Sequence, residues 1–525
     1  MLNIIPQPRD IKVNENEHFI FNSLSVFGSE LISKDAFDDF VDFCSKIGVK
    51  VTTAQQNEAN LLLLKTEGKI AEEYFLEVCD KIFISSCAGN GAFYGLETLK
   101  QILLQCGNKI PRTIIKDTPL YDYRGFMLDV GRYFYSVNEV KKFIDMMALH
   151  KLNTFHFHLT EDQGWRIEIK KYPLLTQKGS KRSHTNFGVV PHSGFYTQEE
   201  IKEIVAYAHA KYIKVIPEFD IPGHTVSAIA CYPELSCFNR QLNVKTHWGV
   251  KHDIMCAGKE FTYKFVYDVM DELIELFPDK VIHLGGDEAV KMRWDICPHC
   301  QKVIEDNNLK DSEELQQLFM SKINAYLQQK GYSTMMWNWD LNSVSNTLDS
   351  SIAWNLCGSD ENVRPLIHQE MKNGRKMVST CAHPYYLDLP YGWVNLKNSC
   401  DYAPECVLSG DESDVNLIGV EGPLWTEYVP NMKKAEYMTF PRLGAVSTAA
   451  WSDKTERNYD KFKAKLDDYY KLLDCYDVQY AKLNQCMPSK IRAKFSGMWF
   501  NRRVLHWEGL HNLIDDAMVK SKYSK

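Results

Sequence analysis

From Tyr123 onward the chain alternates short apolar runs with amphipathic helical stretches, and no other feature of the sequence restricts the fold as much. The runs occupy 125–130, 154–159, 214–217, 281–284, 334–337, 351–354, 376–379 and 416–420. Helix signatures stand between them. Ser136 with Glu139, and Thr197 with Glu200, read as capping boxes, in which a hydroxyl and a carboxylate satisfy the first free amides of a helix reciprocally. Val140, Phe143, Ile144 and Met147 recur at helical spacing on one face, as do Phe265, Val269, Met270 and Leu273. Strand-like runs in βα alternation predict an α/β fold, a (β/α)8 barrel, over 119–475. Asp117-Thr118-Pro119 separates it from 1–118, where apolar runs at 61–64 and 81–84 beside a helix-like stretch at 94–104 predict a small α+β domain. A helical tail, 476–525, carries Trp499, Phe500 and Trp507 and is expected to dock on the barrel or on another subunit.

Composition excludes several classes. With 61 Lys+Arg against 68 Asp+Glu, the net charge of −7 argues against a large nucleic-acid footprint, which wants a basic face. No apolar run is long enough to span a membrane, and the N-terminus lacks the basic and apolar regions of a leader. The 15 cysteines are an odd number without a disulfide rhythm, so a reducing cytoplasm is expected, although a secreted or periplasmic chain with its leader removed reads the same. Cys297-Pro298-His299-Cys300 is a CxxC, but no second CxxC follows at ligand spacing, so the pair is expected to be two thiols at a loop or helix start and no metal is assigned.

In a barrel of this kind the chemistry sits at the C-terminal ends of the strands. There the sequence places Asp129 and Arg132; His156, His158, Glu161 and Asp162; Glu218, Asp220 and His224; Asp287 and Glu288; Trp337, Trp339 and Asp340; Trp354; Tyr385, Tyr386 and Asp388; and Glu421, Trp425 and Glu427. Carboxylates, one arginine and several aromatics suit a sugar: indole faces pack on pyranose C–H faces, and charged groups bind vicinal hydroxyls. Cleaving a glycoside needs a proton donor and a group that stabilises an oxocarbenium-like transition state. Asp287-Glu288 follows two glycines that permit close approach of ligand, and adjacent carboxylates push their pKa values apart. Neighbours on one strand end cannot easily straddle a ring as an ordinary retaining pair does. Glu288 is therefore expected to protonate the leaving oxygen while Asp287 holds another part of the same substrate, with a 2-acetamido group as internal nucleophile.

Five segments carry a resemblance: RGFMLDVGR at 124–132, HFHLTEDQGWR at 156–166, PEFDIPGH at 217–224, HLGGDE at 283–288 and WTE at 425–427. In this order, over roughly the first 475 residues, the chain resembles glycoside hydrolase family 20, the β-N-acetylhexosaminidases. The resemblance implies an exo-acting retaining enzyme, without cofactor, that removes terminal GlcNAc or GalNAc through an oxazolinium intermediate. It further implies that Glu288 is acid and then base, that Asp287 orients the acetamido group, and that Tyr386 bonds its oxygen. Trp337, Trp354 and Trp425 would wall the pocket, while Arg132, Asp388 and Glu427 would bind hydroxyls. His224 would pair with an acid after the second strand and support Glu288. The family more often has two aspartates there; here they are Glu161 and Asp162, and Glu161 inherits the partner role. The segment 395–414, with Cys400 and Cys406, matches nothing and is expected to shape the aglycone side. Rival readings are release of a disaccharide in the manner of a lacto-N-biosidase, a sugar-binding protein on an inactive scaffold, and metal-dependent hydrolysis through His156 and His158. The implied partner is a glycan ending in a β-linked N-acetylhexosamine; a homo-oligomer is possible on this reading.

Overall fold

The computed structural model describes residues 2–185, 189–338, 344–345, 347–358, 361–504 and 508–523, with the backbone alone at 499–504, 508–514 and 523. The first unit is a seven-stranded mixed sheet. Asp10–Ile20 and Lys109–Asp117 pair at one edge, followed in order by Tyr74–Val78, Ile82–Ser86, Leu61–Lys65, Leu24–Phe27 and Val51–Thr53. Helix Lys34–Lys46, capped by the Ser33 side chain, packs against helix Gly89–Cys106. The second helix is buried nearly all round: Phe93, Leu96, Leu99 and Ile102 supply apolar contacts, and its buried Lys100 is paired with Glu97 and Asp39.

Eight parallel strands then close a barrel: Tyr123–Asp129, Thr154–His158, Lys214–Glu218, Val281–His283, Ser333–Trp337, Ala353–Leu356, Met377–Ser379 and Leu417–Leu424. Both expected capping boxes form, at Ser136 and Thr197, and start helices Val137–Leu149 and Gln198–Ala210. Side chains fill the barrel in layers, as its geometry requires. Tyr123, Ile216, Met335 and Val378 form an apolar layer at the bottom. His156, Glu218, Asn355 and Glu421 form a polar layer above it. Met127, Trp337, Cys357 and Trp425, with Tyr386 against them, line the mouth.

Beyond the barrel, helix Lys490–Val504 runs close enough to the chain at Gly392 that a Cβ there would meet the Ala493 carbonyl at 2.7 Å. The last helix, Glu508–Tyr523, docks through Asp515 on Arg240 and Arg293, and through Asp516 on His252 and Arg293. Among the described residues no helix is long and apolar enough to cross a membrane.

Candidate active site

Strand register sets the floor of the site. Asp129, His158, Glu218 and His283 stand side by side at the ends of the first four strands. Glu218 is the hub, 3.0 Å from His156 Nε2, 2.5 Å from His158 Nδ1 and 3.2 Å from His283 Nδ1, and it accepts from Trp337 Nε1 at 2.7 Å. Burial alone would raise this carboxyl, but His158, His283 and His156 outweigh it and hold Glu218 well below the usual range. His156 also lies 3.1 Å from Glu421. Burial would lower His156, yet Glu421 and Glu218 push it up to about 9. Carboxylates and imidazoles crowd closely enough here to suggest a metal. His156 and His158 both face Glu218, so the HxH pair takes part in a buried polar network beneath the pocket.

Above this floor, Asp129 joins the first strand to the loop after the eighth. It accepts from the Thr426 amide and hydroxyl, each at 3.0 Å, and holds Arg132 Nη1 at 3.2 Å. Arg132 reaches on to Glu161 at 2.6 Å and Glu427 at 3.7 Å, with its guanidinium 4.9 Å from the Trp425 ring centre. The guanidinium is thereby fixed at the mouth with carboxylates on either side.

A chain of ionisable groups leads from Arg132 to Glu288. Glu161 Oε1 is 2.9 Å from His224 Nδ1, and His224 Nε2 is 3.4 Å from Glu288 Oε2. Asp162 Oδ2 is 3.9 Å from the same histidine, and Asp162 instead accepts from the Val226 amide at 2.9 Å. The longer glutamate therefore takes the histidine, as its reach suggested. The turn carrying Asp287 and Glu288 is left-handed, with φ of 66° at Gly285, 98° at Gly286 and 48° at Glu288. Gly285 must be glycine, because a Cβ there would lie 1.8 Å from Asp220 Oδ1, the atom that accepts from the Gly286 amide at 3.0 Å.

The two adjacent carboxyls are pushed apart in pKa, in the opposite sense to the naive assignment. Burial, reinforced by Glu288 and tempered by His224, raises Asp287 to about 6. Burial also acts upward on Glu288, but the hydrogen bond and charge of His224, with Arg132, outweigh it and lower Glu288. His224 itself, which burial would lower, is raised well above its ordinary value by Glu161 and Asp220. The contact between Glu288 and His224 therefore favours the charged form of both partners.

Of the three tryptophans expected to wall the pocket, Trp337 and Trp425 meet at the mouth, their ring centres 5.5 Å apart with Trp337 stacked on His156. Trp354 does not. It is the second residue of its strand, paired with Met336 and Met377, and alternation turns it outward, where Arg375 lies 4.6 Å from its ring. Asn355 points inward instead, donating to Glu421 at 2.9 Å, and Cys357 takes the wall position beside Tyr386. Tyr386 faces Trp425 at 6.3 Å, whereas Tyr385 packs away from the mouth on Tyr402. Asp388 is raised to about 8 by burial and by Glu427, and it borders a cavity of about 530 Å³ shared with Tyr391, Tyr428, Arg492 and Phe495. Trp339 and Asp340 lie outside the described residues, as do Trp507 and the side chains of Trp499 and Phe500.

Sequence reasoning missed the binding of Arg132 by Asp129 and the hub at Glu218, although both stood at strand ends; Asn355 and Cys357 gave no signal. The segment 395–414 packs in part at the lower end of the barrel. Its Glu405 accepts from Tyr121, just before the first strand begins, and pairs with Arg457. Elsewhere in the segment, Ser399 donates to the Pro384 carbonyl at 2.8 Å and Tyr402 packs on Tyr385, next to the residues that follow the seventh strand.

One proton donor backed by a charged relay, beside a second carboxylate and over faces that stack sugar rings, is equipment for cleaving an acetal; the class is a barrel glycoside hydrolase. Comparison with known proteins narrows this. Residues 121–454 match the catalytic domain, and residues 1–118 match domain 2, of glycosyl hydrolase family 20, and the chain belongs to that family. It is 34% identical over 507 residues to a beta-hexosaminidase of Porphyromonas gingivalis, covering 91% of this chain and 64% of that protein. It is 33% identical over 437 residues to a beta-hexosaminidase of Akkermansia muciniphila, covering 80% of this chain and 88% of that one. Among solved structures it resembles the GH20 exo beta-N-acetylglucosaminidase of Vibrio harveyi in complex with N-acetylglucosamine, with a TM-score of 0.81 at 27% identity, covering 92% of this chain and 78% of that one.

Proposed function

We propose that the protein is an exo-acting β-N-acetylhexosaminidase that removes single terminal residues with retention, using the substrate's own 2-acetamido group as nucleophile. The observation that carries this is the placement of Asp287 and Glu288 as consecutive residues on one turn. A retaining pair that includes an enzymic nucleophile flanks the anomeric carbon about 5 Å apart, which consecutive residues on one strand end do poorly. They serve better as donor and orienter on one side of a ring.

Glu288 gives its proton to the glycosidic oxygen as the bond to the anomeric carbon breaks, and the acetamido carbonyl oxygen closes on that carbon. Asp287, ionised above about 6, accepts from the acetamido N–H and offsets the positive charge of the oxazolinium ring. Tyr386 donates to the carbonyl oxygen, and Trp337 and Trp425 enclose the methyl group and ring. Arg132, with Glu427 and Asp388, binds the hydroxyls of the terminal sugar. After the leaving alcohol departs, Glu288 takes a proton from water, which opens the ring. Substrate in the pocket displaces water from Glu288, and the proton held by His224 then passes to the carboxylate, so the Glu161–His224–Glu288 chain supplies the acid form. The partner is a glycan ending in a β-linked N-acetylhexosamine; no observation favours disaccharide release.

The reading is tested with aryl β-glycosides whose 2-acetamido group carries zero to three fluorines. Each fluorine weakens the carbonyl oxygen as a nucleophile, so kcat should fall steeply along the series. A flat series would show that this oxygen does not attack.

A further inference from the structure

We propose that Cys237, Cys256, Cys297 and Cys300 bind one Zn²⁺ ion that staples together the two loops carrying the acid machinery. The four sulfurs lie within 4.8 Å of one another, and all four residues are buried. Cys256 Sγ is 3.8 Å from Cys297 Sγ and 3.5 Å from Cys300 Sγ. Zinc thiolate bonds of about 2.3 Å in a tetrahedron give sulfur–sulfur edges of about 3.8 Å, whereas a disulfide needs about 2.05 Å. The cluster thus has the dimensions of a closed four-thiolate site around a single ion. Thiolate sulfur selects zinc over magnesium or calcium.

The CxxC lacks a second CxxC because its partners come from a different kind of element. Cys237 and Cys256 sit at the neck of a long excursion after the third strand. The bridge between Ser236 and Met255 closes that neck, and the Cys256 amide donates to Leu235 O at 2.7 Å. Cys297 and Cys300 stand at the start of helix Pro298–Asp306, in the loop after the fourth strand. The two backbones touch: a Cβ on Gly258 would lie 2.3 Å from the His299 carbonyl carbon, and Trp294 Nε1 donates to Met255 O at 2.9 Å. The excursion follows Asp220 and His224, and the helix follows Asp287 and Glu288. The ion fixes one loop against the other without touching substrate, and its four protein ligands leave no open position for catalysis. This inference does not rest on the proposed hydrolase mechanism.

The test uses the full chain, purified without an affinity tag that binds metal and without added zinc. Elemental analysis should find about one zinc per chain, and X-ray absorption should show a sulfur-only shell at about 2.3 Å. Asp287→Asn should keep the zinc, and Cys297→Ser with Cys300→Ser should lose it. Should that variant not fold, wild-type chain unfolded with a chelator and refolded with or without zinc gives the same comparison, with Tm higher in zinc. Four alkylatable thiols with no zinc, an intact mass lighter by the hydrogens of a disulfide among these cysteines, a shell containing nitrogen or oxygen, or stoichiometric iron or copper would each overturn the proposal.

Discussion

The hydrogen bond and charge of His224 hold Glu288 low while burial raises Asp287 to about 6, and these opposite shifts shape the pH dependence. Asp287 must be ionised to accept the acetamido N–H, so kcat/KM should rise as pH climbs through about 6. The donor's proton belongs to the Glu288–His224 pair, and its loss follows the raised histidine rather than an ordinary carboxyl. The alkaline limb should therefore lie well above carboxylate values. His224→Asn removes the store and should move that limb to lower pH, while the acid limb stays with Asp287. An alkaline limb unmoved in the variant would mean that Glu288 holds its own proton. Trp354 makes a second case at this scale. It is fully buried on the outer side of the barrel with Arg375 across its face. Trp354→Ala should cost about 3–5 kcal/mol of stability in a denaturant titration and leave KM for an aryl N-acetylglucosaminide unchanged. A raised KM without loss of stability would return Trp354 to the pocket.

Among the elements, the turn after the fourth strand has the least freedom. Gly285 adopts φ of 66°, and any Cβ would strike Asp220. Gly285→Ala must either shift Asp220 or tilt the turn carrying Asp287 and Glu288. A misplacement near 1 Å costs about 100-fold in rate, so kcat should fall on that scale with the circular dichroism of a folded barrel retained; near-native kcat would show that the turn is not what positions the pair. The barrel strands were legible in the sequence because buried parallel strands read as apolar runs between capped helices. The sixth was the exception. The sequence run begins at Ser351, but Ser351 bonds Asp349 and the Ile352 carbonyl is taken by Arg375, so pairing starts at Ala353 and reaches Leu356. That shift moved Trp354 from the strand's end to its outward-facing second position. The relay was legible in its members because each stands in a motif at a strand end. Its proton distribution was not, since that depends on distances among Glu161, His224, Asp220 and Arg132 that residue order does not encode. The cysteine cluster was illegible for a related reason: its ligands converge from two loops without a shared spacing.

In the whole molecule, the parts outside the barrel brace it away from the reacting centre. Asp117, from the first unit, accepts from Lys151 at 3.0 Å and from Trp451 Nε1 at 2.9 Å, and Arg124 pairs with Glu72 at 2.6 Å. On another side, Asp515 and Asp516 of the last helix hold Arg240, His252 and Arg293 around the excursion after the third strand. Between these braces lies a mouth with buried carboxylates and imidazoles at its floor and Trp337, Trp425 and Tyr386 along its walls, where Asp287 and Glu288 share one turn. The central claim, that the substrate supplies the nucleophile, is tested most directly by comparing hydrolysis of an aryl β-N-acetylglucosaminide with the matched aryl β-glucoside. The account predicts turnover of the first and none of the second above background, whereas comparable kcat/KM on both would contradict it.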